Sequence, residues 1–268
     1  MSIHPETFQK KEFFSLKSFK ERKLLSLLAY ETGTHLGDGH LGYNYDKQDN
    51  KWRYILQYTG DIVNEYDFYV NVLKPTLEKL YNYKVKISNN NRDNTCLIKT
   101  QKESICRFKQ EIGLPIGKKR EVVIPPFINN KQLKAKFLRG FADTDFCLSF
   151  RIQKKRDYPI ISTKLADPIL LSQLHLICKR LGLNPYSIFG MKSRNINVKG
   201  GFSIVHGLFL YGQENLYKWV DRVGFSSSKH LTKFLLWEKT GKSFPKTTTA
   251  QRYELLKRLG QRVVLSPL

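Results

Sequence analysis

Two aspartates, Asp38 and Asp145, stand at equivalent places in two short segments that match each other. The segments 33–38 (GTHLGD) and 140–145 (GFADTD) keep their equivalent residues 107 positions apart. A repeat this long indicates a duplicated domain, since solenoid units are shorter. Two carboxylates brought together by duplication would repel each other unless a cation or a proton lay between them. Hard oxygen ligands of this kind favour Mg²⁺.

The small residues before each aspartate are spaced for close contact between two helices. Gly33 and Gly37 leave one helix face bare, and Gly140 with Thr144 does the same in the second copy. Small residues at this spacing let two helix backbones approach closely. We therefore expect the two motif helices to pack against each other along the middle of the protein. Their last residues, the two aspartates, would then emerge side by side.

Each copy repeats the same order of elements around its motif helix. Aromatic and β-branched residues around polar turns predict β-hairpins at residues 40–58 and 147–163. An apolar stripe then predicts a helix in each copy. A second hairpin and a further helix follow, and the last helices stop at Gly113 and Gly224. We therefore predict an α+β fold with two pseudo-symmetric αββαββα halves, whose antiparallel sheets form a saddle.

The repeat divides the chain into five segments. Pro125 and Pro126 exclude helix between the two copies and favour an extended connection. A basic helix is predicted over 250–259, beyond the repeat. The segments are an N-terminal extension (1–23), the first domain (24–120), a linker (121–130), the second domain (131–240) and a basic C-terminal tail (241–268).

The charge of the chain favours a polyanionic partner. It has 46 Lys and Arg residues against 23 Asp and Glu residues, which gives a formal net charge of +23. Nucleic acid fits this charge better than a membrane does, because no basic amphipathic helix or lipid signal stands out. No apolar run approaches the roughly 18 residues of a membrane span, and the N-terminal residues lack a signal-peptide stretch. We expect a protein that is not secreted, in a prokaryotic cytoplasm or an organelle.

The four cysteines predict neither a zinc site nor disulfide bonds. None forms a CxxC pair, and no pair of histidines has metal-ligand spacing. Their apolar neighbours indicate small core residues in a reducing compartment. No Gly-rich phosphate-binding loop is present either.

The paired segments resemble the motif of the LAGLIDADG homing endonucleases, in the single-chain form that carries two motifs. The resemblance covers roughly residues 24–237. It implies a site-specific endonuclease that makes a double-strand break in a long pseudo-palindromic DNA target by divalent-metal-dependent phosphodiester hydrolysis. As the alternative, the same scaffold would serve an RNA-splicing maturase or a DNA-binding protein that does not cleave. Against the nine-letter pattern, the positions that agree are Gly33, Asp38 and Gly39 in the first copy and Leu138, Gly140, Asp143 and Asp145 in the second.

The resemblance also implies a metal site. Asp38 and Asp145 match the acidic residue that binds the catalytic divalent cations, and the backbone carbonyls of Gly37 and Thr144 are further candidate ligands. Mg²⁺ is the expected ion, and Mn²⁺ or Ca²⁺ would fit the same oxygen ligands. Phe146 stands where a glycine normally follows the second aspartate, so we expect the backbone there to bend less freely.

Three further residues are candidates for the catalytic machinery. Lys99 matches a place near the active site where the family often carries a basic residue, and Gln57 would face the DNA or the solvent pocket. In the later elements the copies are offset by 111 residues, which pairs Lys118 with Lys229 and puts Leu210 opposite Lys99. The second half would then lack a basic partner, and Lys164 on the neighbouring strand is the candidate to replace it.

The hairpins supply the expected surface for double-stranded DNA. A β-ribbon fits the major groove, where Arg, Lys and Gln read base edges, and alternate residues of a strand face one side. The loops 46–51, 89–94, 154–157 and 191–200 would contact phosphates and make binding salt-dependent. We expect an intron-encoded monomer, with intron RNA as a second candidate partner. The residues predicted to face the groove are Tyr43, Tyr45, Arg53, Lys84, Lys86, Arg151, Gln153, Lys192 and Arg194.

Overall fold

A computed structural model describes residues 14–153, 156–194, 200–261 and 263 of the chain. Its first half follows the predicted order of helix, hairpin, helix, hairpin and helix. The strands form one antiparallel sheet in the order β1-β2-β4-β3. The elements are α1 (Arg22–Asp38), β1 (Gly39–Asp46), β2 (Lys51–Asp61), α2 (Ile62–Phe68), a π-helical turn (Tyr69–Leu73), α3 (Lys74–Tyr81), β3 (Ile87–Asn90), β4 (Thr95–Thr100) and α4 (Glu103–Glu111).

The second half repeats this order and then adds two helices. Its antiparallel sheet has the equivalent order β5-β6-β8-β7. The ninth helix agrees with the helix predicted over 250–259, whereas the eighth, after the repeat unit, was not predicted. The elements are α5 (Lys131–Asp145), β5 (Cys147–Gln153), β6 (Arg156–Leu165), α6 (Pro168–Arg180), β7 (Pro185–Arg194), β8 (Phe202–Tyr211), α7 (Gly212–Arg222), α8 (Ser228–Thr240) and α9 (Thr249–Arg258). The predicted α+β fold with two pseudo-symmetric halves is confirmed.

Helices α1 and α5 pack directly against each other, as the small residues predict. A Cβ atom added to Gly33 would overlap the backbone carbonyl oxygen of Phe137. The reverse contact is equivalent, because a Cβ on Gly140 would overlap the carbonyl oxygen of Tyr30. The two helix backbones therefore touch where only glycine leaves room, and this contact fixes the two halves relative to each other.

Each sheet turns one face towards the helices, which we call the inner face, and leaves an opposite outer face. Side chains that point to the inner face form the hydrophobic core together with the helices. Those that point to the outer face are available to a large ligand. The buried residues that define the inner faces include Leu41, Leu56 and Ile98 in the first sheet and Leu148, Ile161 and Leu210 in the second.

The core of the first half contains a fully buried ion pair. Lys109 of α4 donates to the carboxylate of Glu31 in α1, and both side chains have no solvent exposure. The hydroxyl groups of Tyr58 and Tyr81 also donate to Glu31. In the second half, buried Leu138 stands at the position of Glu31, so the two cores differ in chemistry although their folds agree.

Helix α9 joins the end of the second half to the first. The hydroxyl of Thr249 donates to the backbone carbonyl of Asn64 in α2 at 3.0 Å, and the hydroxyl of Tyr253 donates to Asp67 at 2.7 Å. Asp67 also accepts a hydrogen bond from Ser228 of α8. Across the residues that the structure describes, no helix is both long enough and apolar enough to cross a membrane.

Candidate functional site

The two aspartates lie where the motif helices end. Asp38 is the last residue of α1 and Asp145 the last of α5, and both are half-buried. A Cβ added to Gly37 would lie 3.7 Å from the Cβ of Asp145, so the helix ends meet. Burial, with the negative charges of Glu65 and Asp145, raises the pKa of Asp38 to about 8. Burial also raises the pKa of Asp145. The site therefore disfavours two ionised carboxylates unless a cation lies close to them.

Two lysines that no sequence motif marked as catalytic enter this acidic site. The Lys119 ammonium donates to the carbonyl oxygen of Gly37, at the end of α1. The Lys229 ammonium donates to the carbonyl oxygen of Thr144, at the end of α5, at 3.4 Å. Lys229 also forms an ion pair with Glu65. A cation is favoured at the C-terminus of a helix, and both lysines lower the pKa values of the aspartates. Each motif helix thus ends in one carboxylate and one ammonium group.

The alignment of the two sequence repeats identified one of these two lysines and missed the other by one residue. The offset of 111 matched Lys118 with Lys229, whereas the structure pairs Lys119 with Lys229. Both lysines follow the helix that closes each repeat: Lys119 lies in the irregular connection before α5, and Lys229 lies in the first turn of α8. The path of these connecting residues cannot be predicted from periodicity. Lys99, which the sequence favoured as the basic residue, is exposed on the outer face of β4.

A row of polar side chains crosses the first sheet beside Asp38. His40 on β1 pairs with Gln57 on β2, and Gln57 pairs with Lys99 on β4. All three point to the outer face. Gln57 is half-buried, and its amide nitrogen donates to the hydroxyl of Thr59 at 3.0 Å. The predicted residues Gln57 and Lys99 are therefore neighbours, and His40 extends the row towards Asp38.

The corresponding row of the second sheet is much less polar. Cys147, two residues after Asp145, pairs with Ser162, which pairs with Phe209. Phe209 thus stands in place of Lys99. The prediction that Leu210 takes this position was wrong by one residue, since Leu210 is buried on the inner face. The core position predicted for Cys147 was also wrong, because its side chain is exposed.

Lys164 lies on the outer face of β6 and is exposed, two residues further along the strand than Ser162. Phe146 adopts an extended backbone with φ −92°, close to the φ of −78° at Gly39. The expected restriction of the backbone after Asp145 is therefore wrong, because neither position needs a left-handed conformation. The Phe146 ring is instead buried in the core.

Two of the residues predicted to face the groove lie on the other side of the first sheet. Tyr43 pairs with Tyr54 on the inner face, and its hydroxyl donates to Gln110 of α4 at 3.4 Å. Tyr45, two residues further along, shares this face. The prediction for Tyr43 and Tyr45 was wrong, because their alternation matches buried Leu41 rather than exposed His40.

A β-bulge moves two predicted cations to the opposite side of the second sheet. The register of β7 shifts between Ile188 and Met191, where β7 contains one extra residue relative to β8. One extra residue exchanges the two faces for all side chains beyond it. Lys192 and Arg194 therefore lie on the inner face, where they are exposed, and the prediction that they face the groove was wrong.

The remaining predicted positions are compatible with an outer or exposed location. Arg53 points to the outer face and forms ion pairs with Asp46 and Asp49. Arg151 is exposed on the outer face of β5, and Gln153 ends that strand. Lys84 and Lys86 are exposed just before β3. Residues 154–155 and 195–199 of the predicted contact loops lie outside the described residues.

Basic residues line an open cleft next to the acidic site. The cleft has a volume of about 810 Å³. Three consecutive cations, Lys118, Lys119 and Arg120, line it together with the carboxylates of Glu121 and Asp167. The cations outnumber the carboxylates in this lining, which favours an anionic ligand beside the aspartates.

The oxygen atoms at the helix ends suit a hard divalent cation. Mg²⁺ is typically held by one or two carboxylates and keeps several waters, which matches Asp38 and Asp145. The carbonyl oxygens of Gly37 and Thr144 each have two lone pairs, so each could accept from its lysine and still face an ion. Within the described ranges, no group of three or more His, Cys, Asp or Glu side chains is placed to hold a metal. Water or substrate oxygens would therefore have to complete the coordination.

The fold is similar to that of solved LAGLIDADG homing endonucleases. A structure of I-DmoI in complex with DNA and Ca has a TM-score of 0.51 and 16% identity, over 75% of this chain and 90% of that chain. A structure of an I-DmoI variant with its target DNA and Mn has a TM-score of 0.52 and 15% identity, over 76% of this chain and 96% of that chain. The structure of I-LtrWI bound to target DNA has a TM-score of 0.52 and 10% identity, over 91% of this chain and 100% of that chain. No family model and no curated protein matches the sequence. The chain therefore has the two-domain LAGLIDADG fold.

Proposed function

We propose that this chain is a site-specific endonuclease that makes a double-strand break in a long pseudo-palindromic DNA target. The observation that carries the proposal is the pair of aspartates at the ends of the two packed helices, each beside a lysine. The acidic pair lies between two sheets with basic outer-face residues, in a fold whose solved examples include complexes with DNA. Two sets of reactive groups in one chain suit the cleavage of two strands by a monomer.

The residues at the helix ends divide the chemistry between them. Asp38 and Asp145 would hold Mg²⁺, with the carbonyls of Gly37 and Thr144 next to them. The ion, when bound, lowers the pKa of a water and stabilises the charge on the leaving oxygen. Lys119 and Lys229 place ammonium groups in the same half-buried site, where they would stabilise negative charge that develops on the phosphate.

The outer faces would hold the duplex. Arg53 and Arg151 lie on the outer faces of the two sheets, one in each half, and Arg or Lys pairs well with guanine edges in the major groove. The cations of the cleft, Lys118 and Arg120, would contact phosphates close to the reacting bonds. His40 and Gln57 would order water beside Asp38, since both present polar groups to the same outer face.

The decisive experiment selects a target from a randomised DNA library and follows its cleavage with Mg²⁺. The double variant Asp38→Asn with Asp145→Asn should lose cleavage completely and still bind the target, because it loses metal ligands and no contact with bases. Asp221→Asn, which changes an exposed carboxylate on α7, should cleave normally. Cleavage by the double variant would show that the catalytic pair has been assigned wrongly.

The same assay separates the alternative function. A purified chain that binds intron RNA tightly and never cleaves DNA with Mg²⁺ or Mn²⁺ would be a maturase or a non-cleaving binding protein. In that case the aspartate pair would have a structural role only.

A further inference from the structure

The C-terminal part of α5 holds the irregular connection that leads from α7 into α8. The guanidinium of Arg139 donates through Nε to the backbone carbonyl of Val223. One turn further along α5, the carboxylate of Asp143 accepts from the backbone N–H groups of Ser226 and Ser227, both at 2.9 Å. The two side chains therefore fix both ends of this connection. We call Arg139 and Asp143 the connection clamp.

The carboxylate of Asp143 is buried and fully supplied with donors. Only 1% of the residue is exposed, and its second oxygen accepts from the hydroxyl of Tyr30 in α1 at 2.8 Å. A carboxylate that leaves water needs such hydrogen bonds to offset the loss of hydration. Negative charge is also favoured at the N-terminus of a helix. Asp143 thus suits the start of α8, whose N-cap residue Ser227 forms no side-chain cap of its own.

Lys229 lies directly beyond the point that the clamp fixes. It is the second residue of α8, and its ammonium donates to the carbonyl oxygen of Thr144 at 3.4 Å. Thr144 stands between Asp143 and Asp145 in α5. A single turn of α5 therefore carries the candidate metal ligand Asp145 and also the side chain that fixes the start of α8. The place of Lys229 relative to Asp145 follows from this arrangement.

Contacts with α2 act on the same helix from the first half. The hydroxyl of Ser228 donates to Asp67, and Lys229 pairs with Glu65. Both acidic partners belong to α2, so these contacts relate α8 to the first half of the protein. The clamp instead ties the start of α8 to the helix that ends in Asp145.

The first half places its lysine in a different way. At an offset of 107 residues, Leu36 stands in place of Asp143, and its side chain has no polar atom. Lys119, the counterpart of Lys229, lies in the irregular connection before α5. Its ammonium donates straight to the carbonyl oxygens of Leu36 and Gly37. The buried carboxylate and the helix that carries the lysine therefore occur together, in the second half.

We propose that the connection clamp positions Lys229, so that its ammonium group reaches the reacting phosphate beside Asp145. Asp143 and Arg139 are positioning residues, because they contact the backbone before α8 and act through the lysine. The inference rests on the proposed endonuclease function, since a misplaced Lys229 is detected as slower cleavage. Catalysis is sensitive to such a displacement, because a shift of about 1 Å can cost about 10²-fold in rate.

The test is a double-mutant cycle on single-turnover cleavage of the DNA target with Mg²⁺. Asp143→Leu introduces the side chain of the first copy and should slow cleavage by about 10- to 10²-fold. The affinity for the target should change by less than about threefold, because the loss falls on the transition state. In a Lys229→Met background the same change should slow cleavage by less than about threefold, since residues that act as a unit are not additive. In a Lys119→Met background it should keep its full effect.

Two further variants separate positioning from a loss of folded protein. Asp143→Asn keeps the shape of the side chain and one acceptor oxygen, so its cleavage rate should lie between those of the parent and Asp143→Leu. Thr248→Ala removes the side-chain cap of α9 and should lower the unfolding temperature without a change in cleavage rate. The fraction of molecules that cleave, given by the amplitude of the single-turnover curve, should be equal in the parent and Asp143→Leu.

Additive losses would overturn the inference. If Asp143→Leu slows cleavage equally in the parent and in the Lys229→Met background, the clamp does not act through the lysine. Unchanged cleavage by folded Asp143→Leu would overturn it as well. A parent chain that never cleaves is a different result, because the proposed function would then fail. Amide hydrogen exchange decides the clamp in that case: exchange at Ser226 and Ser227 should be faster in Asp143→Leu, and unchanged exchange would overturn the clamp itself.

Discussion

Lys229 connects the residues of the acidic site to one another. Its ammonium group pairs with Glu65 and donates to the carbonyl oxygen of Thr144. Burial lowers the pKa of this ammonium group, whereas the negative charge of Glu65 raises it. Glu65 in turn raises the pKa of Asp38. A change at Lys229 therefore alters the electrostatics of both motif helix ends, although the lysine belongs to α8.

If Lys229 stabilises charge during cleavage, Lys229→Met should slow single-turnover cleavage by about 10²-fold or more. The affinity for the DNA target should change much less, because one phosphate contact is a small part of a large interface. Lys229→Arg keeps the charge and should retain most of the rate.

Lys233→Met is the matched control, one turn further along α8. Its ammonium donates to the carbonyl oxygen of Leu148 at 3.1 Å, which lies in β5 rather than at a motif helix end. Equal loss of cleavage in both variants would contradict a specific role for Lys229.

The buried pair of Glu31 and Lys109 gives a second prediction at the level of single residues. Lys109→Met would leave the Glu31 carboxylate buried without its cation, which typically costs about 3–5 kcal/mol. The free energy of unfolding in urea should fall by that amount. Lys218→Met, which breaks the exposed pair with Glu214, should change it by less than about 1 kcal/mol. A small effect at Lys109 would contradict a buried ion pair between Glu31 and Lys109.

At the scale of elements, the contact between α1 and α5 was predictable and several strand details were not. The spacing of Gly33, Gly37 and Gly140 predicts the close approach of the two helix backbones, because only small residues permit it. The bulge in β7 has a weaker mark, Gly190, whose φ of +73° is rarely adopted by other residues, since a glycine within a strand often indicates a bulge. Counting alternate residues therefore assigned Lys192 and Arg194 to the wrong face.

The residues of the candidate site also differ in whether the sequence could predict them. Asp38 and Asp145 were found because they belong to repeated motifs on regular helices. Lys119 and Lys229 were missed because they follow irregular connections, where one inserted residue changes the alignment of the copies. Helix α8 lies outside the repeat, so duplication gave no reason to expect a reactive group from it.

The helix contact leads to a prediction for the small residues. Gly33→Ala would force a Cβ against the backbone carbonyl of Phe137, and we expect a loss of about 1–3 kcal/mol in the free energy of unfolding. Gly37→Ala would instead meet the side chain of Thr144. Addition of Thr144→Gly should therefore recover part of the loss at Gly37, as measured by urea denaturation. Stabilisation by Gly33→Ala, which an unobstructed site would show, would contradict the packing.

At the scale of the whole molecule, duplication has preserved the architecture and changed the chemistry of each half. The row across the first sheet is polar, with His40, Gln57 and Lys99. The equivalent row across the second sheet is less polar, with Cys147, Ser162 and Phe209. Symmetry of the backbone could be predicted from the repeat. The asymmetry could be predicted only in part, because the sequence aligned Leu210 rather than Phe209 with Lys99.

Two buried histidines make the stability of the whole protein depend on pH. Burial lowers the pKa values of His35 and His230 well below the usual 6.5. Below pH 6.5 the unfolded chain binds protons at these histidines and the folded chain does not. The free energy of unfolding is therefore unaffected by them at higher pH and decreases as the pH falls below 6.5. The raised pKa values of Asp38 and Asp143 act in the opposite sense.

A comparison of variants isolates the histidine effect. Between pH 7 and pH 5, His230→Gln should gain about 2 kcal/mol of stability relative to the parent chain. Urea denaturation at several pH values measures this difference. A parallel pH profile for the parent and His230→Gln would mean that His230 is protonated in the fold.

The hydrogen bonds from α9 to Asn64 and Asp67 also have a consequence for biosynthesis. A ribosome completes the first half well before residues 249–258 leave its exit tunnel, and domains generally fold as they emerge. The carbonyl oxygen of Asn64 and the carboxylate of Asp67 therefore lack their α9 donors until translation of this helix is finished. A nascent chain arrested before Thr249 would lack the two bonds from α9, while the glycine contact and the hydrogen bond from Ser228 to Asp67 would still join the halves, so proteases should cleave near α2 more readily than in the complete protein.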